Sequence, residues 1–388
     1  MAVIPVPERL LHPMEFPRKL LMGPGPANAP PRVLAAGALP LLGHLHPEFV
    51  QIMDDCKSGI QYAFQTENPV TLAISGTGHA AMEAACCNLV EAGDVVLVLC
   101  AGIWGHRFAD MVDRHDGVVK KLNKPAGETF SLSDIEQGLR AHNPKLLFVT
   151  HGESSSTTLQ SLEGIGKLCH KFGCLVVVDS VAALGGVPLL QDAWELDVVY
   201  TGGQKVLSCP PGASPISFGP AAMKKVKSRK TKIRSFYLDI NELANYWGCD
   251  GQPRRYHHTG PISNIYTLRE ALSILAEETL AKCWERHAKC AALLHDGLRQ
   301  LGLELFVKNP ECRLPTVTGI VVPPGVDWKK VADNAMAKYR VEISGGLGAT
   351  AGKIWRVGLL GYNAEPENVK SVLSALKEGI TLQKKSHL

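Results

Sequence analysis

The chain has 388 residues, 45% of them hydrophobic and 20% charged, which is close to the average for a folded globular protein and excludes wholesale disorder, collagen-like chains and most coiled coils. Lys plus Arg number 41 and Asp plus Glu 37, so a net charge of +4 gives no reason to expect a nucleic-acid or membrane partner. The longest apolar runs fall far short of the roughly 18 residues that cross a bilayer.

At roughly 150 residues per domain, the length suggests two to three domains. Residues 1–20 are rich in proline with no sustained period and read as an extended arm. Pro5 and Pro7 break any signal-peptide apolar run, and Glu8 and Glu15 argue against a mitochondrial transit peptide. The segment Met22-Gly23-Pro24-Gly25-Pro26 cannot be helical. From His46, the apolar residues Phe49, Ile52, Met53, Cys56, Ile60 and Phe64 follow helical spacing.

Short β-branched runs then recur at Val70–Ser75, Val95–Cys100, Leu146–Thr150, Leu175–Val178 and Val198–Tyr200. Helical patterns lie between several of them, at His79–Val90, Ser133–His142 (with Ser133 and Glu136 as a capping box) and Ser161–Phe172. Continuous apolar strands alternating with helices predict an α/β fold with a mostly parallel sheet covered on both faces. A long helical pattern follows from Ile262 to Leu301. Apolar runs come next at Leu303–Val307, Thr318–Val322, Val341–Ser344 and Ile354–Leu360, with helices near Trp328–Tyr339 and Glu367–Leu382. The changed mixture predicts a large domain over 21–278 and a smaller α/β domain over 279–388.

Eleven cysteines without a C-x-x-C pair read as reduced, mostly buried thiols. His257-His258 and His44-x-His46 lack further ligands at supporting spacing, so no metal is expected. The basic run from Lys224 to Arg234 reads as a solvated helix face. The last three residues, Ser386-His387-Leu388, vary the Ser-Lys-Leu address that an import receptor reads, which predicts a peroxisomal location.

In open parallel sheets ligands bind beyond the carboxyl ends of the strands. Four of the predicted strands end in polar or glycine-containing segments: Gly76-Thr77-Gly78-His79, His151-Gly152-Glu153-Ser154, Asp179-Ser180-Val181 and Thr201-Gly202-Gly203-Gln204-Lys205. Gly76-x-Gly78-x-x-Ala81 matches a dinucleotide fingerprint, but the next strand does not end in the acid that would hold a ribose, which weakens a nicotinamide reading. What survives is a helix N-terminus facing an anion such as phosphate, or a plain structural turn.

Asp179, after four apolar residues, is either a cap, half of a buried pair, or a functional carboxylate. Lys205 is either a solvated lysine or a desolvated nucleophile. Together, a phosphate site, an aspartate and a lysine at neighbouring strand ends are what pyridoxal 5'-phosphate requires. The lysine forms a Schiff base, and the aspartate keeps the ring nitrogen protonated.

The chain resembles the fold-type I aminotransferase family that includes the alanine–glyoxylate and serine–pyruvate enzymes. The likeness rests on the 22–26 segment, Ser75-Gly76-Thr77-Gly78-His79, Gly102-Ile103-Trp104-Gly105, Thr150-His151-Gly152-Glu153-Ser154-Ser155, Val178-Asp179-Ser180-Val181-Ala182, Gln204-Lys205, Tyr256-His257-His258-Thr259 and Ser344-Gly345-Gly346-Leu347-Gly348. The resemblance implies that Lys205 holds the cofactor, Asp179 pairs with its ring nitrogen, Trp104 and Val181 cover the two ring faces, and Ser154 meets the phenolic oxygen. It places Thr77, Gly78, His79 and Gln204 on the phosphate, joined by Tyr256 and Thr259 from the second subunit of a homodimer. Arg356 would grip the substrate carboxylate, for which its planar fork is suited, although an arginine there also fits a structural ion pair. Gly25 and Gly43 would border the substrate.

The reaction implied is transamination of glyoxylate to glycine with alanine or serine as donor. Kynurenine or 3-hydroxykynurenine transamination is the nearest alternative. Similar insect enzymes with that activity carry Ser-Asn where this chain has Gly43-His44, which favours glyoxylate. An NAD-linked oxidoreductase and a non-catalytic binding protein are more distant alternatives.

Overall fold

The computed structural model of the chain describes residues 3–386. The arm is exposed from residue 3 through residue 19 and holds a 3-10 turn at Glu8–Leu11, and Leu20 then bridges to Val341. Two helices follow, α1 (Pro31–Gly37) and α2 (Pro47–Phe64), each entered through a proline whose missing N–H costs nothing in the first turn. The core alternation runs β1 (Val70–Gly76), α3 (Gly78–Leu89), β2 (Val95–Cys100), α4 (Ile103–Arg114), β3 (Val118–Asn123), α5 (Leu132–His142) and β4 (Leu146–Thr150). A small hairpin of β5 (Gly152–Glu153) and β6 (Thr158–Leu159) leads to α6 (Ile165–His170), β7 (Leu175–Asp179), β8 (Val198–Tyr200), β9 (Gly212–Phe218), α7 (Pro220–Lys227) and α8 (Ile240–Tyr246). The remainder holds α9 (Ile262–Glu278), α10 (Leu280–Gln300), β10 (Val317–Val321), α11 (Trp328–Asn334), β11 (Ser344–Gly345), β12 (Ile354–Gly358) and α12 (Pro366–Ser386).

Seven strands form one sheet in the order β1-β9-β8-β7-β4-β2-β3. Only β9 opposes its neighbours, so the sheet is mostly parallel, as the apolar runs predict. Helices cover it on both sides, and one large cluster of buried side chains fills the layers. Phe108 of α4 stacks on Phe148 of β4 with centroids 4.0 Å apart. A second cluster packs α10, α11 and α12 against a three-stranded sheet ordered β10-β12-β11. All eleven cysteines are free and nine of them are buried, as expected of core thiols.

The structure corrects several expectations. The helical pattern from Ile262 to Leu301 is two helices, parted at Thr279, whose φ of 72° no helix accommodates. The capping box of α5 is Ser131 with Asp134, not Ser133 with Glu136, because the helix starts earlier than its apolar period. Leu303–Val307 contributes only an isolated bridge from Leu305 to Ile320, and Val341–Ser344 only a bridge and the first residue of β11. Helix α6 is shorter than Ser161–Phe172 at both ends. Of the terminal tripeptide, His387 and Leu388 lie outside the described residues.

Replacing Phe108 with Ala removes the stacked ring from a fully buried position. The expected cost is roughly 3–5 kcal/mol, read as a lowered midpoint in urea denaturation, and an unchanged midpoint would contradict the packing described here.

Candidate active site

The carboxyl ends of β1, β4, β7 and β8 open on one cavity. Its lining includes Thr77, Gly78, His79, Trp104, Ser154, Asp179, Val181, Gln204 and Lys205. Sheet register explains the convergence. Thr150 pairs with Asp179 and Asp179 with Tyr200, so the turns that follow these strands are neighbours. Backbone bonds then tie the turns together, from His151 N to Asp179 O (2.8 Å) and from Ser180 N to Tyr200 O (2.9 Å).

At one end lies the start of α3. Thr77 precedes the helix without capping it through its side chain, which leaves its hydroxyl and the first helical amides free to meet an anion. A Cβ on Gly76 would lie 2.6 Å from Ala80 Cβ, so the turn accepts only glycine there. Gln204 adds an amide oxygen that is buried without a partner among the described residues. Arg107 donates to His79 Nε2 (3.1 Å), which leaves the His79 proton on Nδ1, and the His79 ring meets the Trp104 ring edge-on at 5.6 Å.

Asp179 also lines the cavity and is 3% exposed. Its Oδ1 accepts from Val181 N (2.9 Å) and its Oδ2 from Tyr200 Oη (2.9 Å). Burial pushes its pKa up to about 6, against the two hydrogen bonds and the pull of Lys205. Lys205 is part-buried, and its Nζ donates to Pro24 O in the 22–26 turn. Burial and the nearby Arg356 guanidinium lower its pKa to about 8, with Asp179 and Glu342 opposing. Gly25 has φ +106°, and a Cβ there would sit 2.4 Å from Lys205 Nζ, so glycine at this position makes room for the lysine.

Trp104 Nε1 donates to Ser154 Oγ (3.0 Å), while Val181 lies against Gly78. Arg356, buried on β12, donates from Nε to Gly345 O (2.8 Å) and from Nη1 to Ser154 O (3.1 Å). Its Nη2 has no hydrogen-bond partner among the described residues. Gly43, in the loop before α2, donates to His46 Nδ1 and does not line the cavity. Tyr256 and Thr259 are exposed and also lie outside it.

Sequence reasoning missed Tyr200 and Glu153. Tyr200 is a wholly buried phenol at the end of an apolar strand, and such a hydroxyl must find an acceptor. Glu153 is a buried acid in a run of hydroxyl residues. It accepts from Trp104 N (3.1 Å) and Ser155 N (2.9 Å), and burial pushes its pKa up to about 7. It thereby anchors the start of α4, where a Cβ on Gly102 would collide with it.

The aminotransferase class-V family model matches residues 21–372. This chain is a class-V aminotransferase. It is 53% identical over 374 residues to the alanine–glyoxylate aminotransferase of Callithrix jacchus, covering 96% of this chain and 90% of the relative. It is 49% identical to that of Drosophila melanogaster over 382 residues, covering 98% and 97%. The crystal structure of the alanine–glyoxylate aminotransferase of Nostoc sp. superposes with a TM-score of 0.94 at 46% identity, covering 97% of this chain and all of that one. The structural neighbours are fold-type I enzymes, and class-V aminotransferases depend on pyridoxal phosphate.

The cavity fits that cofactor. Free amides and the Thr77 hydroxyl mark a polar, anion-accepting end, and the same lining holds a buried carboxylate, an amine of lowered pKa, an indole and an aliphatic side chain. The lowered pKa is directly measurable by reductive methylation of the cofactor-free protein at graded pH. Lys205 is expected to react half-maximally near pH 8, and a profile near 10, like that of surface lysines, would contradict its desolvation. Gly25→Ala is expected to displace the Lys205 amine and abolish its retention of the cofactor, seen as loss of visible absorbance after dialysis.

Proposed function

We propose that this aminotransferase converts glyoxylate to glycine with alanine, or serine, as the amino donor, leaving pyruvate when alanine gives its nitrogen. The observation that carries the reading is the part-buried Lys205 and the buried Asp179 in one cavity with the start of α3, in a chain about half identical along its length to named alanine–glyoxylate enzymes.

When bound, pyridoxal phosphate supplies an electron sink for the substrate α-carbon. Lys205 would hold its aldehyde carbon and Asp179 its ring nitrogen. Trp104 and Val181 would flank the ring, Ser154 would meet the phenolic oxygen, and Thr77, Gly78, His79 and Gln204 would take the phosphate. The rest of the chemistry belongs to the chain. With a pKa near 8, roughly a tenth of Lys205 is neutral at pH 7, about 300 times the fraction in a solvated lysine. Its Nζ takes the α-proton from the amino donor and returns a proton when the oxo acid enters. The free Nη2 of Arg356 would meet the substrate carboxylate. Fixed by two backbone carbonyls, this guanidinium orients the α-carbon instead of following it. Gly25 leaves space beside the reacting amine, and Gly43 is assigned to the outer rim of the substrate site.

A second copy of the chain would supply Tyr256 and Thr259 to the phosphate, making the enzyme a homodimer with shared sites. Their exposure, outside this chain's own cavity, supports that assignment. We further propose a peroxisomal location through Ser386-His387-Leu388, testable by whether deleting the three residues leaves a reporter fusion in the cytosol.

Protein supplied with pyridoxal phosphate is expected to absorb in the violet. Lys205→Arg should remove that band and lower turnover by about 10²–10⁴-fold. In direct competition, alanine with glyoxylate should outpace kynurenine with glyoxylate, and faster kynurenine turnover would overturn the substrate assignment.

A further inference from the structure

Two adjacent histidines beyond the cavity form a hydrogen-bonded chain whose proton positions follow from the geometry when both rings are neutral. His257 Nε2 lies 3.1 Å from Phe236 O, and a carbonyl only accepts, so that nitrogen carries the proton. In a neutral ring His257 Nδ1 is then bare. It lies 2.7 Å from His258 Nδ1, which must therefore be the donor. His258 Nε2 is left bare in turn, and at 2.6 Å it accepts the hydroxyl proton of Ser75. Each proton points the same way, from Ser75 through His258 and His257 to Phe236.

The groups facing His258 keep it neutral. Tyr237 lies edge-on at 5.0 Å and Tyr246 tilted at 5.4 Å, with His257 and His44 also nearby. Burial and these two histidines lower the His258 pKa to about 4. His257 is itself pinned, stacked on Phe236 with centroids 4.8 Å apart.

The chain ends on the residue that begins the phosphate turn. Ser75 O also accepts from Tyr237 Oη (3.1 Å), and Gly76 O from Ser214 Oγ (2.9 Å), so side chains hold this turn from several directions. Its middle members, His258 and His257, belong to the segment carrying Tyr256 and Thr259.

We propose that His258 is a positioning residue for the cofactor-phosphate cradle, binding Ser75 and the Gly76-Thr77-Gly78 turn to the 256–259 segment through a chain of directed hydrogen bonds. The proposal rests on the reading of this turn as the phosphate site. It assigns His258 no contact with substrate or cofactor. Its effect is on how tightly the cofactor is held, because a loosened turn must be ordered again at each binding event.

Neutron diffraction of the deuterated holoenzyme at pH 7.5 reads the chain directly. Deuterium is expected on His257 Nε2 and on His258 Nδ1, with the Ser75 deuteron directed at His258 Nε2. A deuteron on His258 Nε2, or a doubly protonated ring, overturns the proposal. Fluorescence titration of the cofactor-free protein supplies the second readout. Ser75→Ala and His258→Phe should each raise the dissociation constant for pyridoxal phosphate by about threefold to tenfold, the range of one hydrogen bond. The double variant should lose no more than either alone. His258→Gln, whose terminal amide can still accept from Ser75, should recover most of the loss. Unchanged affinity in both single variants, or losses that add in full, overturns the role of His258 while leaving the cofactor assignment standing. A wild-type chain that binds no pyridoxal phosphate overturns both.

Discussion

Taking an ammonium ion out of water costs several kcal/mol even after a protein relaxes around it. Lys205 meets that cost by giving up some of its affinity for the proton. One carbonyl, from Pro24, accepts from its Nζ, and Asp179 and Glu342 only partly oppose the burial and the nearby Arg356. The outcome is an amine that is neutral often enough to react near physiological pH. Asp179 shows the complementary behaviour. Burial pushes it up to about 6, and the rise is limited because Val181 N and Tyr200 Oη stabilise its charge. A cationic ring nitrogen beside it would favour ionisation further.

These two groups share a cavity because of the sheet. Parallel register puts the ends of β4, β7 and β8 side by side, and the lone antiparallel strand β9 brings Ser214 and Pro215 back to the same edge. There Ser214 fixes the Gly76 carbonyl and Pro215 O accepts from Thr201 N. The 22–26 turn meets Lys205 through Pro24 O and is held to β12 by Gly358 N donating to Met22 O (2.8 Å) and to the lysine loop by Ala27 N donating to Gln204 O (2.9 Å). The same β12 carries Arg356, so its guanidinium and the turn beside the lysine are tied to a common strand.

What was legible in the sequence was whatever burial imposes. Strands β1, β2, β4, β7 and β8 are apolar runs, and the polar residues closing them mark the site. Strand β3 escaped because Lys120 and Lys121 interrupt an exposed edge, and β9 because Pro215 and small residues hide its strand character. Thr279 breaks a continuous helical period through a backbone angle that no residue pattern announces. In the site, Lys205 and Asp179 stood out as charges beside apolar strands. The support of Glu153 for Trp104, the phenol of Tyr200 behind Asp179 and the chain from Ser75 to His257 depend on contacts between distant segments, which spacing does not encode.

The account turns on which atom holds the cofactor. Borohydride reduction of the loaded protein, followed by peptide mass spectrometry, tests this most directly. The account predicts a phosphopyridoxyl mass on the peptide bearing Lys205 and on no other lysine. The same mass on another lysine, or a Lys205 peptide left unmodified in protein that has bound the cofactor, would contradict it.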